Sequence, residues 1–181
     1  MAGVTRLPDL PRCPWAEVDP LLAKYHDEEW GVPARRDAAH FERLTLEVFQ
    51  AGLSWRTILH KRPAFRKAFA RFSPAKVAAF TQKDVRRLLN DAGIVRHRGK
   101  IEATIENAGR FMALSKAHGN FARYLDTLPG DLETLRGVFR REFAFMGPKI
   151  AESYFESVGK IPIRHHRRCW KAKGARAKRK T

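Results

Sequence analysis

Cysteine is scarce in this sequence: two among 181 residues, Cys13 and Cys169, near opposite ends of the chain. So sparse a set excludes a disulfide-stapled scaffold, which a chain of this length does not need. Two readings remain, buried thiols without further role or shared ligation of a metal. Long apolar runs are also missing. No stretch reaches the roughly 18–20 uncharged apolar residues that span a bilayer. The opening run MAGVTRLPDLPRCPW lacks the apolar centre of a secretory signal, so a cytoplasmic protein with no membrane role is expected. Alternating β-branched runs are absent, which argues against a sheet. With no internal repeat and no Gly/Ser linker, a single domain is expected. Acid is lacking at one end: Glu156 is the last carboxylate, and ten Lys or Arg fall in residues 160–181.

What is present is basic charge on a helical pattern. The chain has 36 Lys and Arg against 19 Asp and Glu, a formal net charge of +17. Residues 1–159 hold 26 of those cations and all 19 acids. A moderately basic body with a strongly basic end suits a polyanion such as DNA or RNA. The end KAKGARAKRKT has no apolar face to insert into a membrane surface. We divide the chain into a helical domain, 1–170, and a basic, flexible tail, 171–181. The tail is either a solubilising extension or a source of further phosphate contacts. A hydrophobic content of 44% is enough for a core of useful size.

Helix signals recur along the chain. Asp19-Pro20, Asp37, Ser54, Ser73-Pro74 and Thr81 with Asp84 read as helix starts. Pro63 reads as the opening of a separate helix, AFRKAFARF. Residues 97–117 read as the longest helix, with Ile101, Ile105, Ala108 and Met112 at helical spacing, and 131–143 and 148–158 as two more. The run LLNDAGIVRHRGKI, 88–101, joins two helices through a tight turn in which Gly93 is expected at positive φ. The second helix would present free N–H groups to a phosphate, with Arg96, His97, Arg98 and Lys100 adding charge. The plain alternative is an αα-hairpin with a basic surface, since only one glycine sits in the turn.

Four blocks carry a family resemblance: RCPW at 12–15, YHDEEWGVP at 25–33, LEVFQAGLSWRTIL at 46–59 and DAGIVRHRGKI at 91–101. In that order and spacing they resemble the constitutive 3-methyladenine DNA glycosylase family (type I, Tag). The likeness is nearly continuous from residue 12 to 107 and weaker beyond. It implies an all-α, single helix-hairpin-helix DNA glycosylase domain in which a zinc site joins the N- and C-terminal segments. The implied reaction is hydrolysis of the N-glycosidic bond of 3-methyladenine in double-stranded DNA containing alkylated bases, a step of base-excision repair. The resemblance also implies one structural Zn2+ on Cys13, His26, His165 and Cys169. Two thiolates and two imidazoles make a closed four-coordinate site, and His165 and Cys169 lie four residues apart, with His166 as a rival ligand. It implies Glu47 as the pocket carboxylate, Tyr25 and Trp55 as aromatic walls, and Trp15 and Trp30 nearby. A cationic ring is well matched by Trp faces and by a carboxylate, and it leaves without prior protonation. The hairpin lacks a following G-P-D motif and no lysine stands out as a Schiff-base nucleophile, so a monofunctional hydrolase with no lyase step is expected. No obligate protein partner is called for, and a monomer is expected. The alternative is a catalytically silent, zinc-stabilised nucleic-acid-binding module. The chain departs from the family at Leu22, where a second pocket tyrosine is common, and at Lys149, where a small hydroxyl residue is usual. Residues 115–135 are also shorter, without the family's Trp-containing insert.

Overall fold

A computed structural model describes residues 10–172, and all regular structure in them is helical. Ten α-helices follow in order: α1 (Pro14–Glu17), α2 (Pro20–Glu28), α3 (Asp37–Gln50), α4 (Trp55–Ala68), α5 (Pro74–Ala78), α6 (Gln82–Leu89), α7 (Arg98–His118), α8 (Phe121–Thr127), α9 (Leu132–Glu142) and α10 (Pro148–Ser157). None is long and apolar enough to cross a membrane. Most of the tail assigned to 171–181 lies outside the described residues. Its first residue, Lys171, donates from Nζ to the carbonyl of His26 at 2.7 Å.

α3 is the central element. Phe41, Leu44, Leu46, Val48 and Phe49 are buried along it, and it packs against α4, α7, α8 and α10. Each such side chain contributes about 1.5–3 kcal/mol by leaving water. Local signals set most starts as expected. Asp19 accepts from the amide of Leu21 at 2.8 Å, Ser54 from Thr57 at 3.1 Å and Asp131 from Thr134 at 2.9 Å. The Thr81 amide donates to Asp84 Oδ2 at 3.0 Å.

Three expectations are corrected. Pro63 opens no helix; it lies inside α4. A proline there costs about 3 kcal/mol, but Ile58, Leu59, Phe65 and Ala68 are buried on both sides of it and hold one helix together. That helix stops at Ala68, where Ala70, Arg71 and Phe72 take left-handed φ of 49°, 55° and 56° and bury Phe69 and Phe72. Asp37 is not the cap of α3, a position held by Arg36; its Oδ1 accepts from the amide of Phe121 at 3.0 Å and so docks α8, an element absent from the sequence reading.

A candidate base pocket beside a Cys/His cluster

α1, α2, α3, α4 and α10 line an open cavity of about 580 Å³. Asp19, the cap of α2, fixes the α2–α4 side, with Arg56 Nε at 2.9 Å and His60 Nε2 at 2.8 Å from its Oδ2. The His60 contact, followed by the Leu21 amide and Arg56, holds the Asp19 carboxyl near about 2. Arg62 links Glu29, at the end of α2, to Glu42 of α3, with Nη atoms at 2.8 Å and Nε at 2.7 Å. Arg43 donates to the carbonyls of Val32 at 2.6 Å and Ser157 at 2.7 Å, holding the loop after α2 and the end of α10 against α3. Gly31 in that loop has φ +78°, a conformation that favours glycine, and a Cβ on it would also meet the tip of Ile163.

All five residues expected to form a lesion pocket line this cavity: Glu47, Tyr25, Trp55, Trp15 and Trp30. Leu22 lines it as well. Tyr25 and Trp55 have ring centroids 5.1 Å apart, and Trp15 and Trp30 meet edge to face at 5.1 Å. Glu47 is 5% exposed, faces the cavity and has no hydrogen-bond partner among the described residues. Burial pushes its carboxyl up to about 8, and the charge of Glu156 adds to the shift. The Tyr25 hydroxyl is pushed up by burial and then by Glu47, so it remains a protonated donor. The structure adds Gln50, Arg56, Ser153 and Glu156 to the lining. Ser153 and Glu156 stand three apart on α10, a spacing that puts them on one face of the helix; nothing in the sequence says that this face turns toward Glu47.

The cluster lies next to the pocket. The ligand atoms of Cys13, His26, His165 and Cys169 lie within 4.8 Å of one another. Cys13 Sγ is 3.6 Å from His165 Nδ1, and Cys169 Sγ is 3.4 Å from His26 Nε2 and 3.7 Å from His165 Nδ1. A tetrahedral ion with bonds of about 2.3 Å to sulfur and about 2.0 Å to nitrogen separates such atoms by about 3.5 Å. His26 Nδ1 sits 2.8 Å from Asp27 Oδ1, which leaves Nε2 for the cluster, and Arg12 Nη2 anchors Asp27 at 2.7 Å. His165, not His166, reaches in; the exposed His166 gives its amide to Cys13 Sγ at 3.3 Å. His165 and Cys169 meet through a turn closed by Cys169 N to His166 O at 2.8 Å, not along a helix. Trp15 packs on His26 at 5.5 Å and Trp30 on His165 at 5.1 Å, so pocket wall and cluster share a border.

The hairpin is less simple than expected. α6 and α7 are joined through residues 90–97, and Arg96, His97 and Arg98 are exposed there. Gly93 does not have positive φ. A Cβ on it would lie 2.9 Å from that of Ala64, so glycine serves the close approach of the turn to α4. His97 Nδ1 accepts from the Lys100 amide at 3.2 Å and caps α7, while Arg98 pairs with Glu102 at 3.1 Å. Lys100 is not a phosphate-facing charge. Its buried Nζ donates to the carbonyls of Phe49 at 3.0 Å and Ala51 at 2.5 Å, satisfying the C-terminal end of α3.

Residues 15–136 match the family model described as methyladenine glycosylase. The chain is 38% identical over 170 residues to DNA-3-methyladenine glycosylase 1 of Escherichia coli (strain K12), covering 83% of this chain and 91% of the relative. It is 34% identical over 170 residues to DNA-3-methyladenine glycosylase of Haemophilus influenzae, covering 83% and 92%. A crystal structure of 3-methyladenine DNA glycosylase I (TAG) superposes with TM-score 0.79 at 36% identity, over 88% of this chain and 98% of that one. The Staphylococcus aureus enzyme, solved for the structural basis of 3-methyladenine recognition, gives 0.78 at 33%, over 88% and 95%. A helical chain that matches these relatives over most of its length, around one aromatic cavity with a buried carboxylate, belongs to the methyladenine glycosylase family.

Proposed function

We propose that this chain is a monofunctional DNA glycosylase of base-excision repair that releases 3-methyladenine from alkylated double-stranded DNA, acting as a cytoplasmic monomer. One observation carries the proposal: Glu47, buried and unpartnered, faces a cavity walled by Tyr25, Trp55, Trp15 and Trp30. An unpaired buried carboxyl is costly, and a flipped purine bearing positive charge supplies the missing partner. The indole faces add cation–π attraction, and the protonated Tyr25 hydroxyl offers a donor to the base edge. The methylated base departs without an acid to protonate it. The protein's task is therefore to hold the cationic nucleotide through Glu47 and the aromatic walls and to admit water to the sugar carbon, which takes up positive charge as the bonding pair leaves with a neutral base.

In this reading Cys13, His26, His165 and Cys169 hold one structural Zn2+. Protein atoms fill all four positions, which leaves none for a catalytic water, and the ion acts by fixing the segments that carry Trp15 and Trp30. Arg96 and Arg98, with the free amides at the start of α7 and the turn around Gly93, contact phosphate and set register on the duplex.

Incubating the zinc-loaded protein with methylated DNA and identifying the free bases tests the reading. Free 3-methyladenine is expected, and Glu47→Gln should lose its release by on the order of a hundredfold or more while keeping DNA affinity. A wild-type protein that binds DNA and releases nothing would be the silent binding module instead.

A further inference from the structure

The cavity concentrates acid in a chain that is strongly basic. Three charged side chains line it. Two are carboxylates, Glu47 from α3 and Glu156 from α10, and the third, Arg56, is committed through Nε to Asp19 at 2.9 Å. Neither Glu47 nor Glu156 has an ion-pair or hydrogen-bond partner among the described residues, although the chain carries 36 cations to 19 acids. Glu156 is half-buried in the wall between this cavity and a second recess of about 470 Å³, whose lining includes Ile161, Ile163, Glu152 and the exposed Arg164, none of them within ion-pair distance of Glu156. Arg43 fixes its place by gripping the neighbouring Ser157 carbonyl from α3, one turn before Glu47.

Resting on the base-excision reading above, we propose that Glu156 is a specificity-determining residue: together with Glu47 it makes the cavity select purines that carry positive charge over neutral purines of the same shape. The basic exterior attracts any DNA, damaged or not. Discrimination therefore falls to the interior, where the sign of the charge is reversed. A second unpaired carboxylate facing the same cavity attracts a cationic ring in a partly dry site, which is worth on the order of tenfold or more in affinity. It offers a neutral ring no such advantage.

The charge states agree with this division of labour. Burial, with the charge of Glu156 added, keeps Glu47 protonated up to about pH 8 in the empty cavity. Glu156 is raised by burial and by Glu152, with Lys149 acting against both. Glu156 is only half-buried and so less enclosed than Glu47, and an entering cation favours the ionised form of both carboxyls, with the Glu47 proton lost to solvent. The other groups facing Glu47 do not alter this. Tyr25 of α2 stays protonated, and Arg56, the charged side chain that α4 contributes to the lining, is engaged by Asp19.

The test uses the zinc-loaded full chain as wild type, Glu156→Gln and Glu156→Asp. The readouts are kcat/KM for 3-methyladenine release from methylated DNA between about pH 6 and pH 9.5, and affinity for a duplex carrying 3-deaza-3-methyladenine, a neutral isostere. At the alkaline end Glu156→Gln should lose on the order of tenfold in kcat/KM yet bind the neutral isostere within about twofold of wild type. Its acid limb should move to lower pH, because Glu47 loses a neighbouring charge, and Glu156→Asp should recover part of both effects. Equal losses for the cationic and neutral rings, or superimposable pH profiles, overturn the proposal. If the wild type releases no base, the base-excision reading fails by itself. Carbon-13 titration of the Glu47 carboxyl then decides the role of Glu156: a lowered midpoint in Glu156→Gln sustains the pair, and an unchanged one overturns it.

Discussion

A carboxyl with a proton held to about pH 8 is a liability that the fold keeps. The folded state binds that proton more tightly than the unfolded chain, whose carboxyl has the ordinary value of 4.5. The stabilisation is complete below the ordinary value and is lost as pH climbs through about 8. Glu47→Gln has no such titration, so its stability relative to wild type should improve between about pH 5 and 8.5, by on the order of 3 kcal/mol. Thermal melts of both proteins at the two pH values measure this, and a constant difference would mean that the side chain is solvated in solution. Lys100 gives the opposite lesson. Removing its ammonium in Lys100→Met leaves two carbonyls at the end of α3 short of a donor and should cost about 1–3 kcal/mol. It should leave the salt dependence of DNA binding untouched. Arg96→Ala and Arg98→Ala should each reduce that salt slope by about one while barely moving the melting temperature.

Among the elements, those governed by nearest neighbours were legible in advance. Asp19, Ser54 and Asp131 start helices with their own side chains, and α7 runs within a residue or so of its expected bounds, ended by Gly119 at φ +88°. Elements decided by distant contacts were not legible. Pro63 is tolerated because buried residues flank it, Gly93 is required by Ala64 of another helix, and Asp37 answers an amide 84 positions away. The pocket divides in the same way. Glu47 and the four aromatics came from blocks with a family likeness, whereas Glu156 lies in the weaker stretch, on a helix whose orientation only tertiary packing decides. Asn107 shows how such packing is enforced. It is fully buried, and its amide pairs with both backbone groups of Ala144, at 3.0 and 2.7 Å. Asn107→Ala should destabilise the protein by about 2–4 kcal/mol, visible in denaturant melts, because it leaves an N–H and a carbonyl of the α9–α10 connection unpaired.

For the whole molecule, the distribution of charge separates reaching DNA from reading a base. The exterior supplies general attraction, and shortening the chain to residues 1–172 removes five of its cations; it should weaken DNA binding and flatten its salt dependence without changing which base is released. The Cys/His cluster borders the pocket instead. Chelation, or Cys169→Ser, should lower the melting temperature and loosen the Trp15 and Trp30 walls, seen as a shift in tryptophan emission, with Phe-rich packing around α3 left in place. The border between indoles and cluster has a consequence for biosynthesis. Glu47, Tyr25 and Trp55 leave the ribosome early, as do Trp15 and its partner His26, but Trp30 gains the His165 side of its backing only more than a hundred residues after Trp55. A nascent chain stalled before that point displays a basic, half-built protein with no finished cavity, so nucleic acid can be touched during synthesis but no base can be enclosed until the clasp is shut.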